Sequence, residues 1–317
     1  MRLRPPDRST FRALIAEGQQ ALAAAPHPQR ARLDAEALLL LVLKRAAPER
    51  NRAWLIAHAN SHATPAINTE LRALIQRRRA GEPIQYITGE TEFYGLPLRV
   101  TPDVLIPRPE TEHLVEKVLL LARDLCAPSI PRPLRDGWES EPAIVRGFPR
   151  ILDVGTGSGA IAVALAHHLP HAAVSATDFS AEALNLARQN ANRNGVAIRF
   201  LHGDLLAPFV GEQFDIIASN PPYVPTIDRP TLSVEVRDHE PALALFAGPD
   251  GLDIYRRLVP QAFNCLVPGG FIASEIGYGQ APAVEAMLAL SGFHQIEFTP
   301  DLQGIQRVVS AQRPSRS

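Results

Sequence analysis

The hydrophobic pattern divides the chain into two regimes. Up to about residue 80, apolar residues recur at helical spacing; from Arg150 onward, short β-prone apolar runs alternate with helical stretches. In the first regime Ser9 or Thr10 is placed to cap a helix through Ala25, closed by Pro26 and Pro28. Asp34 is placed to cap a second helix, Ala35 to Lys44, which is apolar nearly all round and therefore expected to be buried. Thr69 is placed to cap a third, with Leu71, Leu74 and Ile75 on one face. It ends at Arg77-Arg78-Arg79, where cations suit the negative end of the helix dipole. The triplet reads as a solvated helix end.

The pattern then changes. Ile84 to Gly89 is short and β-prone, and Glu92 to Val100 has the form of a hairpin turning at Gly95. Prolines stiffen Val104 to Glu112, and a helix is expected from about Glu110 to Leu125. Ala127 to Pro149 is proline-rich and aperiodic, which reads as a surface insertion without chemistry. Beyond it, strands are expected near 150–154, 172–177, 197–201, 214–219, 269–274, 293–299 and 305–310, with helices near 158–169, 180–194, 251–265 and 281–291. The alternation implies a parallel sheet covered on both faces. The last two strands are joined by about five residues, too few for a parallel crossover, so that pair must be antiparallel. The expected fold class is α/β: a seven-strand Rossmann-like sheet with its last strand antiparallel, plus a small all-helical N-terminal domain joined by a β-hairpin. The expected boundaries are 1–85 for the helical domain, 86–109 for the hairpin connector and 110–317 for the α/β domain, with 127–149 as its insertion.

Composition narrows the partners. The 317 residues carry 32 Lys and Arg against 33 Asp and Glu, a net charge of −1, which is poor material for gripping bare nucleic acid. The two cysteines, Cys126 and Cys265, lack metal-ligand spacing, so neither a metal nor a disulfide framework is expected. No apolar segment follows the basic N-terminus, and the aliphatic run Ala37 to Leu43 is far short of a membrane span. These features read as a cytoplasmic protein, and a monomer is expected.

Two stretches carry the chemistry. Ile151 to Ala160 is a strand, a glycine-rich turn (Gly155-Thr156-Gly157-Ser158-Gly159) and a helix start, where backbone N–H donors and the helix dipole favour an anionic group. Asp178 closes the next strand, where a carboxylate can accept both hydroxyls of a ribose. The loop alone also matches a dinucleotide fingerprint. Asp153 tips the balance to S-adenosylmethionine, since a carboxylate before the loop complements an ammonium and a sulfonium and repels a pyrophosphate. Asp204 could accept from an adenine amine with Leu205 against the ring, or it could be a turn cap. The second stretch is Asn220-Pro221-Pro222-Tyr223, after the strand Phe214 to Ala218. Prolines cannot continue a central strand, so the chain leaves the sheet at the carboxyl end, where ligands bind in open α/β sheets. The result is a stiff rim of carbonyl acceptors, an Asn amide and an aromatic face, which suits a planar group bearing NH2.

These residues resemble the seven-strand S-adenosylmethionine-dependent methyltransferases that act on planar NH2 groups. Three further stretches, Gly81 to Gly89, Leu105 to Glu112 and His239-Glu240-Pro241, with the helical N-terminal domain, resemble the peptide chain release factor glutamine methyltransferase family from about residue 10 to 312. The resemblance implies transfer of a methyl group to the glutamine side-chain amide nitrogen in the Gly-Gly-Gln loop of class-1 release factors, with the N-terminal domain recognising the substrate. It implies cofactor contacts from Gly155, Thr156, Gly157, Ser158, Gly159, Asp178, Leu205 and Asn220, and substrate contacts from Asn220, Pro221, Pro222 and Tyr223. Asn220, Pro221 and Tyr223 would be catalytic: the Asn220 side-chain oxygen and Pro221 carbonyl would accept the amide N–H bonds. The family often has an aromatic residue where Leu205 stands, so adenine stacking is expected to be weaker here. His239-Glu240-Pro241 reads as shaping its loop. The alternatives are a ribosomal-protein glutamine methyltransferase, whose connector departs from the Ile-Pro-Arg-Pro-Glu-Thr-Glu form, and a DNA adenine-N6 methyltransferase, which should bring a basic DNA-reading domain. A nicotinamide dehydrogenase would share the loop but leaves Asn-Pro-Pro-Tyr without a use.

Overall fold

The computed structural model describes residues 9–126 and 148–315. The proline-rich insertion expected at 127–149 lies outside the described residues up to position 147. In chain order the elements are α1 (Phe11–Leu22), α2 (Ala31–Ala46), α3 (Arg52–Ala57), α4 (Pro65–Arg79), α5 (Ile84–Thr88), the strands β1 (Glu90–Phe93) and β2 (Leu96–Arg99), and α6 (Glu112–Cys126). Then follow β3 (Arg150–Val154), α7 (Ala160–His168), β4 (Ala173–Asp178), α8 (Ala181–Arg193), β5 (Arg199–His202), β6 (Phe214–Ser219) and α9 (Val234–His239). The chain ends with α10 (Asp253–Cys265), β7 (Leu266–Glu275), α11 (Ala281–Leu290), β8 (His294–Pro300) and β9 (Gln306–Gln312).

The described chain divides into two compact units. One comprises the residues up to Glu90 together with Pro230–Glu240; the other runs from Thr91 to Arg229 and from Pro241 onward.

In the helical unit, Thr10 caps α1 by accepting from the Ala13 N–H, as the pattern implied. Two other expected caps are corrected. α2 begins at Ala31, three residues before Asp34, because the turn Pro28–Arg30 feeds straight into it. Asp34 is instead buried inside the first turn. α4 begins at Pro65 behind Thr64, whose hydroxyl accepts from Ile67 N, and Thr69 lies inside the helix with its hydroxyl donating to the Pro65 carbonyl. Proline at the first helical position has no N–H to lose and a preset φ, which made Thr64-Pro65 the stronger start signal. Ile84–Thr88 is a helical turn closed by Gly89 in the left-handed region, not a strand. Leu38, Leu39, Leu43, Leu71, Leu74 and Ile75 form the core of this unit.

The arginine triplet is the larger correction. Arg78 is buried, not solvated. Its guanidinium donates to Asp34 Oδ2 at 2.7 Å, to the Glu82 carbonyl at 3.0 Å and to Glu235 of α9, while His27 pairs with the same Glu235 at 2.6 Å. The helical period places Arg78 on the inward face with Leu71, Leu74 and Ile75. Only the two acids, one of them 157 residues away in sequence, make that burial tolerable.

In the other unit, seven strands form one sheet in the order β5-β4-β3-β6-β7-β9-β8. β9 pairs antiparallel with both neighbours, and the remaining pairings are parallel. The expected fold class therefore holds, including the antiparallel last strand. β3 and β6 lie side by side at the centre, with Val154 opposite Ser219. The glycine turn and the Asn-Pro-Pro-Tyr segment thus leave the carboxyl edge from adjacent strands, with the order reversing around β3. That crevice is where an open α/β sheet binds its ligand. The sheet is covered by α6, α7 and α8 on one face and by α10 and α11 on the other. The hairpin β1–β2 turns at Gly95, as the alternating pattern implied.

Candidate active site

A cavity of about 550 Å³ opens at the carboxyl edge of β3, β4 and β6. Its wall includes four of the five residues of the Gly155-to-Gly159 turn, Gly159 being the exception, together with Asp178, Leu205, Asn220, Pro221 and Pro222. Sequence reasoning placed these in one site, and the fold brings them together. Gly159 stands behind the loop: a Cβ there would meet the Ala187 backbone at 3.1 Å, so its role is to let α7 approach α8. Gly155 and Gly157 have φ of +73° and +55° and border open space, which lets a ligand lie against the backbone.

The loop is held from two sides. Below it, Asp153 is completely buried, and its Oδ2 accepts from Thr156 Oγ1 at 2.6 Å and from the Ala162 N–H at 3.2 Å. Its Oδ1 has no hydrogen-bond partner. Burial pushes this carboxyl up to about 7, against the pull of the Thr156 and Ala162 hydrogen bonds. Asp153 does not reach the cavity wall, so the direct charge complement expected of it is corrected: it props the turn from beneath. Beside the loop, Asp178 Oδ2 accepts from Gly157 N at 2.8 Å and Oδ1 from Ser180 N at 2.9 Å. Burial raises the Asp178 carboxyl above its usual range, while these backbone donors pull it down. Each oxygen keeps a second lone pair for a hydroxyl. Asp204 lines the wall but is also ion-paired with Arg257. Leu205 follows with φ +50°, a strained setting for a branched side chain, and that conformation holds it at the cavity wall.

On the opposite wall, Asn220 donates from Nδ2 to Thr111 Oγ1 at 3.0 Å, and Thr111 Oγ1 donates to Glu275 Oε2 at 2.6 Å. Tyr223, the one residue of the motif that does not line the cavity, donates its hydroxyl to Glu275 Oε1 at 3.0 Å, and Gln280 Nε2 donates to the Tyr223 carbonyl at 2.9 Å. Burial and the nearby Glu275 charge push the Tyr223 phenol well above its usual range, so it stays neutral. Burial also raises Glu275, while the Thr111 and Tyr223 hydroxyls and Arg307 favour its charged form.

Several wall residues were missed. Pro102 to Leu105, Pro107, Arg108 and Thr111 line the cavity, although the pattern assigned this stretch only to a connector. Its run of prolines around Arg108 was the available signal. Pro241, Leu243 and Ala244 also line it, so the His239-Glu240-Pro241 stretch contributes its proline to the wall. Glu275, which does not itself line the cavity, was missed as well. A lone acid ending the strand Phe271-Ile272-Ala273-Ser274-Glu275 marks a buried charge that needs partners.

Comparisons with known proteins agree with this architecture. Residues 13–89 match the family model described as the PrmC N-terminal domain, and residues 144–234 match the methyltransferase small domain. The release factor glutamine methyltransferase of Moorella thermoacetica is 42% identical over 96% of this chain and 99% of its own. That of Koribacter versatilis is 43% identical over 90% of this chain and 92% of its own. The chain belongs to the release factor glutamine methyltransferase family. It is an S-adenosylmethionine-dependent methyltransferase. The solved catalytic domain of hMettl16, in complex with the MAT2A 3'UTR hairpin 6, is similar in fold alone, with a TM-score of 0.51 at 16% identity over 69% of this chain and 76% of that one.

The cavity fits that cofactor. Its volume lies in the range of small-molecule sites. The two open glycines give backbone access, Asp178 offers acceptors for a ribose, and the start of α7 offers N–H donors for a carboxylate. No helix among the described residues is long and apolar enough to cross a membrane, and the described residues contain no cluster suited to a metal ion.

Proposed function

We propose that this chain methylates the side-chain amide nitrogen of the glutamine in the Gly-Gly-Gln loop of class-1 peptide chain release factors. The observation that carries the reading is the state of Asn220. Its Nδ2 is already engaged by Thr111, and it shares the cavity wall with Pro221 and Pro222. That leaves the Asn220 oxygen and the Pro221 carbonyl as acceptors for a group bearing two N–H bonds. The relatives' names supply the acceptor class.

An amide nitrogen is a poor nucleophile because its lone pair is delocalised into the carbonyl. When bound, S-adenosylmethionine supplies an electrophilic methyl group on a sulfonium. The chain's own residues must hold the nitrogen and favour positive charge on it. In this reading Asn220 and Pro221 accept its two N–H bonds, a positioning and electrostatic effect that needs no strong base. Tyr223, kept neutral and fixed by Glu275, packs against the amide plane. Gly155 to Ser158, Asp178 and Leu205 hold the cofactor, with Gly159 shaping the turn, and the helical domain, residues 1–85, recognises the release factor.

Labelled methyl transfer followed by mass spectrometry tests this. The expected result is one methyl group on the Gly-Gly-Gln glutamine of a class-1 release factor. Label appearing only on a ribosomal protein, or only on adenine in DNA, would overturn it.

A further inference from the structure

We infer that Glu275 is a positioning residue that sets which end of the Asn220 carboxamide faces the acceptor, and through it the preference for an amide over a carboxylate. The inference rests on the amide-methylating reading above. A carboxamide has an acceptor end and a donor end of nearly the same shape. Only the oxygen end suits an incoming N–H bond, so the site needs a device that forbids the flipped state.

The device is a two-step relay. Glu275 closes β7 and is 1% exposed; Thr111 precedes α6 and is 4% exposed. Glu275 accepts from both neighbouring hydroxyls, so the single hydroxyl hydrogen of Thr111 is spent on Oε2, at 2.6 Å. That leaves Thr111 Oγ1 with only lone pairs toward Asn220. Asn220 must then present Nδ2, at 3.0 Å, and its oxygen is turned away from Thr111. Flipping Asn220 would set two acceptors against each other in a partly buried contact, which is unfavourable. The other oxygen of the same carboxylate takes the Tyr223 hydroxyl at 3.0 Å, so one buried acid orients both polar side chains of the motif. A substrate carboxylate brings no N–H bond to the Asn220 oxygen and the Pro221 carbonyl. It would meet acceptors with acceptors, the kind of mismatch that rejects a close analogue strongly.

Thr111→Val keeps the shape and removes the hydroxyl; Thr111→Ser restores it. The expected result for Thr111→Val is a fall in kcat on a class-1 release factor of about tenfold or more, with cofactor affinity within about threefold of the parent. Thr111→Ser should recover the rate, Glu275→Gln should lower kcat in the same way, and Thr111→Val should add nothing in an Asn220→Ala background. A full kcat in Thr111→Val, or an equal further loss in the Asn220→Ala background, would overturn the relay. A second readout needs no acceptor: by NMR, the Asn220 side-chain NH2 should be protected from exchange in the parent enzyme and lose that protection in Thr111→Val. Unchanged protection would overturn the inference. A protected NH2 in a parent enzyme that labels no release factor would refute the acceptor reading alone.

Discussion

The backbone N–H of Gly157 donates to Asp178 Oδ2 at 2.8 Å, tying the middle of the glycine turn to the end of the neighbouring strand. Asp178 therefore shapes the loop and faces the cavity at once. Asp178→Ala removes the tie and, in the proposed reading, the ribose acceptors together. Hydrogen bonds to a charged group contribute about 1.5–3 kcal/mol each, so cofactor Kd should rise roughly 10²-fold, read by calorimetry. An unchanged Kd would remove Asp178 from the ribose site.

Asn220→Ala should cut methyl transfer by roughly 10²-fold or more, the usual effect of losing one aligned transition-state partner. Asn220 is only partly buried and lies on the cavity wall, so the melting temperature should hardly move. Near-normal turnover in this variant would show that the amide is held elsewhere.

The sheet was legible because its signals are local. Apolar runs of strand length, broken by Gly155 to Gly159 or by Pro221-Pro222, give strand ends directly, and the short link after β8 forces an antiparallel partner. The candidate site was legible where it lies at those ends. The rest depends on contacts across the chain. Arg78 looked like any basic helix terminus because its partner Glu235 lies far along the sequence. Asp153 looked like a ligand contact because nothing local reveals that its side chain turns under the loop toward Thr156 and Ala162. Thr111 and Glu275 are an ordinary polar pair in sequence, and only the sheet brings them to Asn220.

Asp153 also gives a pH dependence with a definite sign. Its carboxyl sits at about 7 in the folded chain against 3.8 as the ordinary value, so the folded state holds an extra proton between these limits. Its stabilising contribution is complete below about pH 4 and is lost as pH rises through about 7, at roughly 1.4 kcal/mol per pH unit within the window. Asp153→Asn cannot ionise and should remove this slope. The melting temperature of the variant relative to the parent should therefore be higher at pH 8 than at pH 5. A difference independent of pH would mean that Asp153 does not titrate in this range.

Arg78 sets the last expectation. It carries a buried positive charge between Asp34 and Glu235, and Glu235 belongs to the short helix α9, which packs with the helical unit although it lies between β6 and β7 in sequence. Arg78→Leu leaves two acids facing each other with their cation gone, which typically costs about 3–5 kcal/mol. Replacing all three charged residues with leucine removes the desolvation cost along with the attraction, so the triple variant should recover most of that loss. Chemical denaturation of the three proteins measures this. A stable single variant would show the charges to be solvated after all. The same geometry makes deletion of residues 1–85 an unclean test of substrate recognition, because it strips Glu235 of both Arg78 and His27. Point changes on the exposed face of the helices separate recognition from this anchoring. They should slow transfer to intact release factor while leaving cofactor binding unchanged, and an unchanged rate across that face would assign recognition to the α/β domain.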